Sequence, residues 1–288
     1  MTAALAQRLI ERFGPDGLRR PDAAEFARTD APAEAAALLA ATGLPVQVGP
    51  YFRTAAEDAL ALGDLTVGRG RPGPRNGEER WARLGTDRGS ELCLDPQGRV
   101  WSVFVDLEEP SVLVNTSLEA FLSSLAELDR TLAALAAAED PDQVFAEFST
   151  VESRLRATDL RAFEDDELWW PRVLEDVRHT RGVPSYAAFK FLDPAGEAQI
   201  LTADGGLALH AEEALWQRAR ALGVDGEQVV EVYTELQACF MPGHYCSVWM
   251  ARTFPRASFT HSHDYGDTAA EREQGIRELA EALTARND

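Results

Sequence analysis

The sequence predicts a mixed α and β chain in two units, and three observations carry that prediction. At 288 residues it has about two domains' worth of length, with amphipathic helices and short β-rich runs alternating throughout. A polar, Gly/Pro-containing segment, His179–Pro184, interrupts the pattern. Before it, helices lead into strands and then longer helices; after it the order becomes hairpin, helix, strand, helix, strand, helix. We expect a first domain over 1–178, a linker over 179–184 and a second domain over 185–288.

Each element has a local cause. Leu5, Leu9 and Phe13 are spaced for a helix that Gly14-Pro15 stops. A second helix is expected from Pro32 to Thr42, halted by Gly43 and Pro45. The Pro/Gly/Arg/Asn cluster from Arg71 to Gly77 reads as an exposed loop. Strands over Glu91–Leu94 and Val100–Leu107 flank the turn residues Asp95-Pro96-Gln97-Gly98, which predicts a hairpin, and Val112–Asn115 is a further short strand. Asn115 and Ser117 offer caps to a long helix whose apolar face is Leu118, Phe121, Leu122, Leu125 and Leu128.

In the second part, Ala187–Leu192 and Ala198–Ala203 form a hairpin around Asp193-Pro194-Ala195-Gly196. A helix follows from Ala211, with Ala214, Leu215, Ala219 and Leu222 on its apolar face and Gly223 at its end. Alternation over Val230–Leu236 predicts a strand, Cys246 opens a helix stopped at Pro255, Ala257–His263 is a strand, and Thr268–Ala285 is a last amphipathic helix.

Composition narrows the partners. Forty-eight acidic against 28 basic residues give a net charge of −20, which disfavours nonspecific attraction to nucleic acid and favours basic partners or small substrates. Three cysteines make at most one disulfide, so a reducing cytoplasm is the simpler expectation. The N-terminal segment lacks the uninterrupted apolar core of a signal peptide, and no apolar run approaches the roughly 20 residues of a membrane span.

One constellation carries chemistry. His210-Ala211-Glu212 stands at a helix entry, Cys239 follows the next strand, and Cys246 starts the next helix. One imidazole and two thiolates leave zinc a fourth, open position, and the non-ligand carboxylate of Glu212 is available to move protons. Residues two apart on a regular helix point nearly oppositely, so His210 must lie in the irregular first turn or cap if both are to face one metal. Taken singly, each residue has a plainer reading: a helix-start histidine is usually a cap, and a free cysteine a small buried hydrophobe. Order and context raise the joint signal. His244 is an alternative ligand, and His261 and His263 could line the same pocket. Tyr233, Phe240 and Trp249 are candidates for stacking on a base, beside the plainer reading of core packing.

Two family resemblances follow from these motifs. The runs LGTDRGSELCLDPQGRVWSV, VLVNTSLEAFLSSL and DDELWWPRVLEDV, over roughly residues 15 to 178, resemble the SUKH superfamily, in particular its fourth subfamily of bacterial immunity proteins. That resemblance implies an α+β fold that binds toxin or effector proteins and has no catalytic residues; Trp101, Phe121, Trp169 and Trp170 are then core. Residues 185 to 288, through the HAE motif and YTELQAC…PGHYC, resemble cytidine-deaminase-like enzymes, closest to bacterial toxin-type nucleic-acid or nucleotide deaminases. Ala238 stands where proline is usual, and six residues rather than two separate the cysteines. This second resemblance implies a three-layer α/β/α sandwich with zinc on His210, Cys239 and Cys246, and Glu212 as general acid/base. It further implies a nucleobase substrate, cytosine before adenine, in single-stranded nucleic acid or a nucleotide. A non-enzymatic immunity protein with an acidic, toxin-binding surface is the rival expectation.

Overall fold

The structure is a computed structural model of the chain and describes residues 2–55, 60–65 and 77–287. It divides into two compact units, Met1–Val173 and Leu174–Asp288.

In the first unit α1 (Thr2–Phe13) buries Leu5 and Leu9, and the chain leaves it at Gly14 with φ +68°. The ladder of β1 (Leu18–Arg19) with β2 (Leu44–Pro45) brackets α2 (Ala33–Thr42), which ends at Gly43 with φ +79°. Six antiparallel strands then lie side by side in chain order: β3 (Gln47–Val48), β4 (Phe52–Thr54), β5 (Ala82–Thr86), β6 (Glu91–Leu94), β7 (Val100–Val103) and β8 (Val112–Asn115). Most of the expected loop at Arg71–Gly77 lies outside the described residues.

The β6–β7 hairpin forms because Asp95 closes its own turn, its Oδ1 accepting from the backbone N–H groups of Gln97 at 2.8 Å and Arg99 at 2.9 Å. β7 is shorter than expected, ending at Val103; the acidic run up to Glu109 and the missing N–H of Pro110 do not extend the pairing. Next come α3 (Leu118–Ala137), α4 (Pro141–Thr158) and α5 (Trp169–Gly182), the last running through the division between the units. All five expected apolar positions of α3 are buried.

Only one of the two expected caps of α3 acts as one. Ser117 Oγ accepts the Ala120 N–H at 3.2 Å, while Asn115 is wholly buried and joins Asp159 at 3.1 Å to the Trp170 indole N–H at 2.8 Å. Its distance along the chain from the first turn frees its amide to satisfy a buried indole instead.

The second unit begins with the later part of α5, so residues 179–182 of the expected linker are helical and His179 is buried. The hairpin β9 (Tyr186–Leu192) and β10 (Ala198–Asp204) is followed by α6 (Ala211–Ala221), β11 (Val229–Leu236), α7 (Cys246–Thr253), β12 (Ser258–His263) and α8 (Ala269–Asn287). The sheet order is β10-β9-β11-β12, with β12 parallel to β11 and the other pairs antiparallel. Ala187, Phe189 and Phe191 of β9 point alternately into a core shared with Val232 of β11, Ala211, Leu215 and Ala219 of α6, and Met250 of α7. Fully buried side chains such as Phe189 and Leu215 each contribute about 1.5–3 kcal/mol against exposure. This core fixes the N-termini of α6 and α7. No helix among the described residues is long and apolar enough to cross a membrane.

Candidate metal centre and active site

The end of β10 and a tight turn aim His210. Gly206 and Leu209 exchange backbone hydrogen bonds at 2.8 and 2.9 Å, which reverses the chain just before α6. A Cβ on Gly205 would stand 3.0 Å from the Leu209 carbonyl oxygen and 3.1 Å from the Ala211 nitrogen, so a side chain there would press on the backbone of the turn. His210 is the N-cap of α6 in extended conformation (φ −74°, ψ 149°), the irregular position its chemistry requires.

Nine residues link β11 to α7, and they bring two sulfurs to that imidazole. Tyr245, the N-cap of α7, is left-handed at φ +44°, and Ser247 binds the Cys239 carbonyl through both its N–H and its hydroxyl at 3.0 Å. Cys239 and Cys246 are buried and free of any disulfide. His210 Nδ1 lies 3.4 Å from Cys239 Sγ and 3.5 Å from Cys246 Sγ, and the three donors fall within 4.8 Å of one another. A tetrahedral zinc with N and S ligands at its usual bond lengths sets an N···S edge of about 3.6 Å. The donor types and spacing fit such an ion.

Behind the ring sits a second buried cluster. His210 Nε2 donates to Asp176 Oδ1 at 2.9 Å; Asp176 Oδ2 lies 3.0 Å from His244 Nε2, and His244 Nδ1 lies 2.8 Å from Glu213 Oε2. The His210 and His244 rings stack at 3.8 Å, 8° from parallel. Asp176 is contributed by α5, 34 residues before His210 in sequence.

Charges in this cluster shift together. Burial pushes the Cys239 thiol up, but the Cys246 hydrogen bond and the His210 charge prevail and hold it well below the usual thiol range. Cys246, buried and beside Cys239, is pushed well up. Burial and the His210 charge press His244 down, yet Asp176 and Glu213 more than offset them and bring it to about 9. Burial raises the carboxyl of Glu212, which is 6% exposed.

A pocket opens beside these groups, lined by Glu212, His210 and Cys239 together with His179, Gln237 and Tyr265. The Tyr265 hydroxyl lies 3.0 Å from His179 Nδ1. The structure thus brings together four sequence candidates: His210, Glu212, Cys239 and Cys246. Tyr233, Phe240 and Trp249 are not among the residues lining this pocket. Tyr233 hydrogen-bonds Ser262 at 2.6 Å and adjoins pocket-lining Tyr186, Phe240 packs on Tyr245, and Trp249 packs on Phe254. His244 stands behind His210 as described, and exposed His261 pairs with Asp264 at 2.9 Å. Neither His261 nor His263 lines the pocket. Sequence reading missed Asp176, His179 and Tyr265, which carry no local motif; Glu213, three residues into α6, stands where a helix-capping acid is legible.

The chain is a mixed helix-and-sheet protein of two units, and residues 182–282 of the second match the family model described as Xanthomonas-like deaminase. Residues 4–176, more than half of the chain, match the model for SUKH-4 immunity protein, and the chain belongs to that family. No curated protein and no solved structure matches it.

Proposed function

We propose that the second unit is a zinc-dependent hydrolytic deaminase of a nucleobase, cytosine before adenine, carried in single-stranded nucleic acid or a nucleotide. The SUKH unit would bind a toxin or effector protein, and the whole would serve in bacterial conflict. One observation carries the reading: His210 Nδ1 meets two cysteine sulfurs at 3.4 and 3.5 Å, and buried Glu212 lines the pocket beside them.

His210, Cys239 and Cys246 would hold the zinc. Bound there, the ion supplies a Lewis acid that makes water a competent nucleophile near neutral pH. Glu212 would relay both protons of the attacking water in turn, one to the ring nitrogen and one to the leaving amine, so that base and water would become the carbonyl base and ammonia. The pocket walls of His179, Gln237 and Tyr265 offer polar groups for the base edge, and Tyr186 with Tyr233 a stacking surface at its side. Phe240 and Trp249 are left to shape the walls of α7 and its approach.

The test is zinc content together with ammonia release from nucleosides, nucleotides and single-stranded DNA and RNA. Stoichiometric zinc and release that falls by about 10²–10⁴-fold in Glu212→Gln, with zinc retained, support the proposal. Stoichiometric zinc with every offered base left intact overturns it. The second reading, a non-enzymatic antitoxin, is favoured by charge: residues 183–288 hold 8 basic and 16 acidic side chains, where a single-strand binder usually has a basic groove. Under that reading Glu212→Gln leaves toxin binding unchanged.

A further inference from the structure

Zinc binds an imidazole nitrogen only through its lone pair, so His210 must keep Nδ1 deprotonated and aimed at the two sulfurs. A histidine alone at a helix cap, with polar backbone on both sides, has no intrinsic reason to choose that tautomer or that ring orientation. Four facts show what chooses them here. Asp176 is 1% exposed, and its Oδ1 lies 2.9 Å from His210 Nε2. Its Oδ2 lies 3.0 Å from His244 Nε2. His244, also 1% exposed, is pinned at its other nitrogen by Glu213 at 2.8 Å. Finally, the His244 ring lies flat on that of His210, 3.8 Å away and 8° from parallel.

We propose that Asp176 and His244 are positioning residues for the metal centre: Asp176 fixes the Nε2–H tautomer of His210, and the stacked His244 fixes the plane of its ring. The inference rests on the zinc reading of His210, Cys239 and Cys246. Asp176, His210 and His244 do not form a second metal site, although their donor atoms are close. Two stacked rings send their in-plane lone pairs along separate parallel planes, which do not converge on one cation. A carboxylate, with one oxygen for each ring, matches the arrangement. Glu213 extends the same clamp to the backbone, accepting the His210 N–H at 3.4 Å. A carboxylate bonded to the outer nitrogen of a ligand histidine also raises that ligand's basicity, and losing it elsewhere costs about 10–100-fold in metal affinity.

The experiment uses the full chain. Zinc affinity is measured by competition with a chromophoric chelator for wild type, Asp176→Asn and Asp176→Ala, and the cobalt(II)-loaded forms are compared by absorption. The expected result is a loss of about 10–100-fold in zinc affinity for both variants. The thiolate-to-cobalt bands should persist while the ligand-field bands change, because the sulfurs still bind and only the imidazole is released from its clamp. Wild-type affinity together with an unchanged cobalt spectrum in both variants overturns the proposal and leaves the zinc reading standing. A wild-type chain that takes up no zinc overturns both. Should the variants fail to fold, nitrogen-15 and proton ring spectra of the zinc-loaded wild type decide alone: a His210 Nε2 proton shifted downfield and protected from solvent exchange, as a bond to a buried carboxylate requires, supports the proposal, and one that exchanges freely with solvent overturns it.

Discussion

The imidazole of His244 lies parallel to that of His210 at 3.8 Å, and its two nitrogens reach Asp176 and Glu213 at 3.0 and 2.8 Å. One ring therefore joins two buried carboxylates, one from α5 and one from α6. His244→Phe keeps a flat ring for stacking but removes both nitrogens, leaving Asp176 and Glu213 each short of a partner. A buried ion pair broken from one side costs about 3–5 kcal/mol. Urea unfolding of the second unit should show a loss of that order; a change below 1 kcal/mol would mean that water reaches both carboxylates freely.

Metal removal should cost stability as well as activity. Zinc that binds the folded chain alone stabilises it by about 4 kcal/mol at free concentrations 1,000 times its Kd. Thermal unfolding with and without a strong chelator should therefore differ, and Cys239→Ser should abolish the difference. Equal unfolding temperatures with and without chelator in wild type would count against the metal centre.

His179 predicts a pH dependence. Burial first, and then the Arg178 charge, hold its imidazole down at about 4, below the ordinary 6.5. The unfolded chain binds the proton more readily, so this stability is fully present above pH 6.5 and is lost as pH falls through about 4. Between those values wild type should lose stability faster than His179→Gln, followed by denaturant midpoints. Parallel pH curves for the two chains would show that His179 titrates normally.

In the first unit the Trp169 indole N–H donates to Asp87 Oδ2 at 2.9 Å, while Asp87 Oδ1 takes the Ser90 N–H at 2.7 Å. Asp87 is wholly buried, so Asp87→Ala strands both donors. Each unsatisfied group costs about 1–3 kcal/mol. The measurement is the unfolding midpoint followed by tryptophan fluorescence, with Glu152→Ala on the exposed side of α4 as the neutral comparison.

Local chemistry explains which parts were legible from sequence. The turn at Asp95–Gly98, the stop at Gly14 and the apolar stripe of α3 are decided by residues within one or two turns of each other, and these appear where expected. α4 offered no such stripe, since it buries only Val151 and Leu155 and leaves Phe145 74% exposed. The order of His210, Cys239 and Cys246 is visible in the sequence because His210 and Cys246 stand at helix starts and Cys239 follows shortly after β11. Asp176 was not: between Glu175 and Val177 on a charged helix it looks like a solvated position, and only the packing of α5 turns it inward. Packing also decides the base-stacking candidates: the pocket takes Gln237 and Cys239 from the segment after β11, yet neighbouring Phe240 packs on Tyr245 and Trp249 on Phe254, so neither lines it.

The position of Asp176 also governs how the protein may be dissected. The deaminase-like match begins at 182, and the match to the immunity family ends at 176. A fragment trimmed to the first of those limits would retain His210, Glu212, Cys239 and Cys246 yet discard Asp176 and His179. Under the proposed reading such an excised piece would hold its metal more weakly although its motif is intact, and its low activity would be mistaken for an extinct enzyme. A cut at Leu174 or earlier keeps the carboxylate with the histidine that it holds.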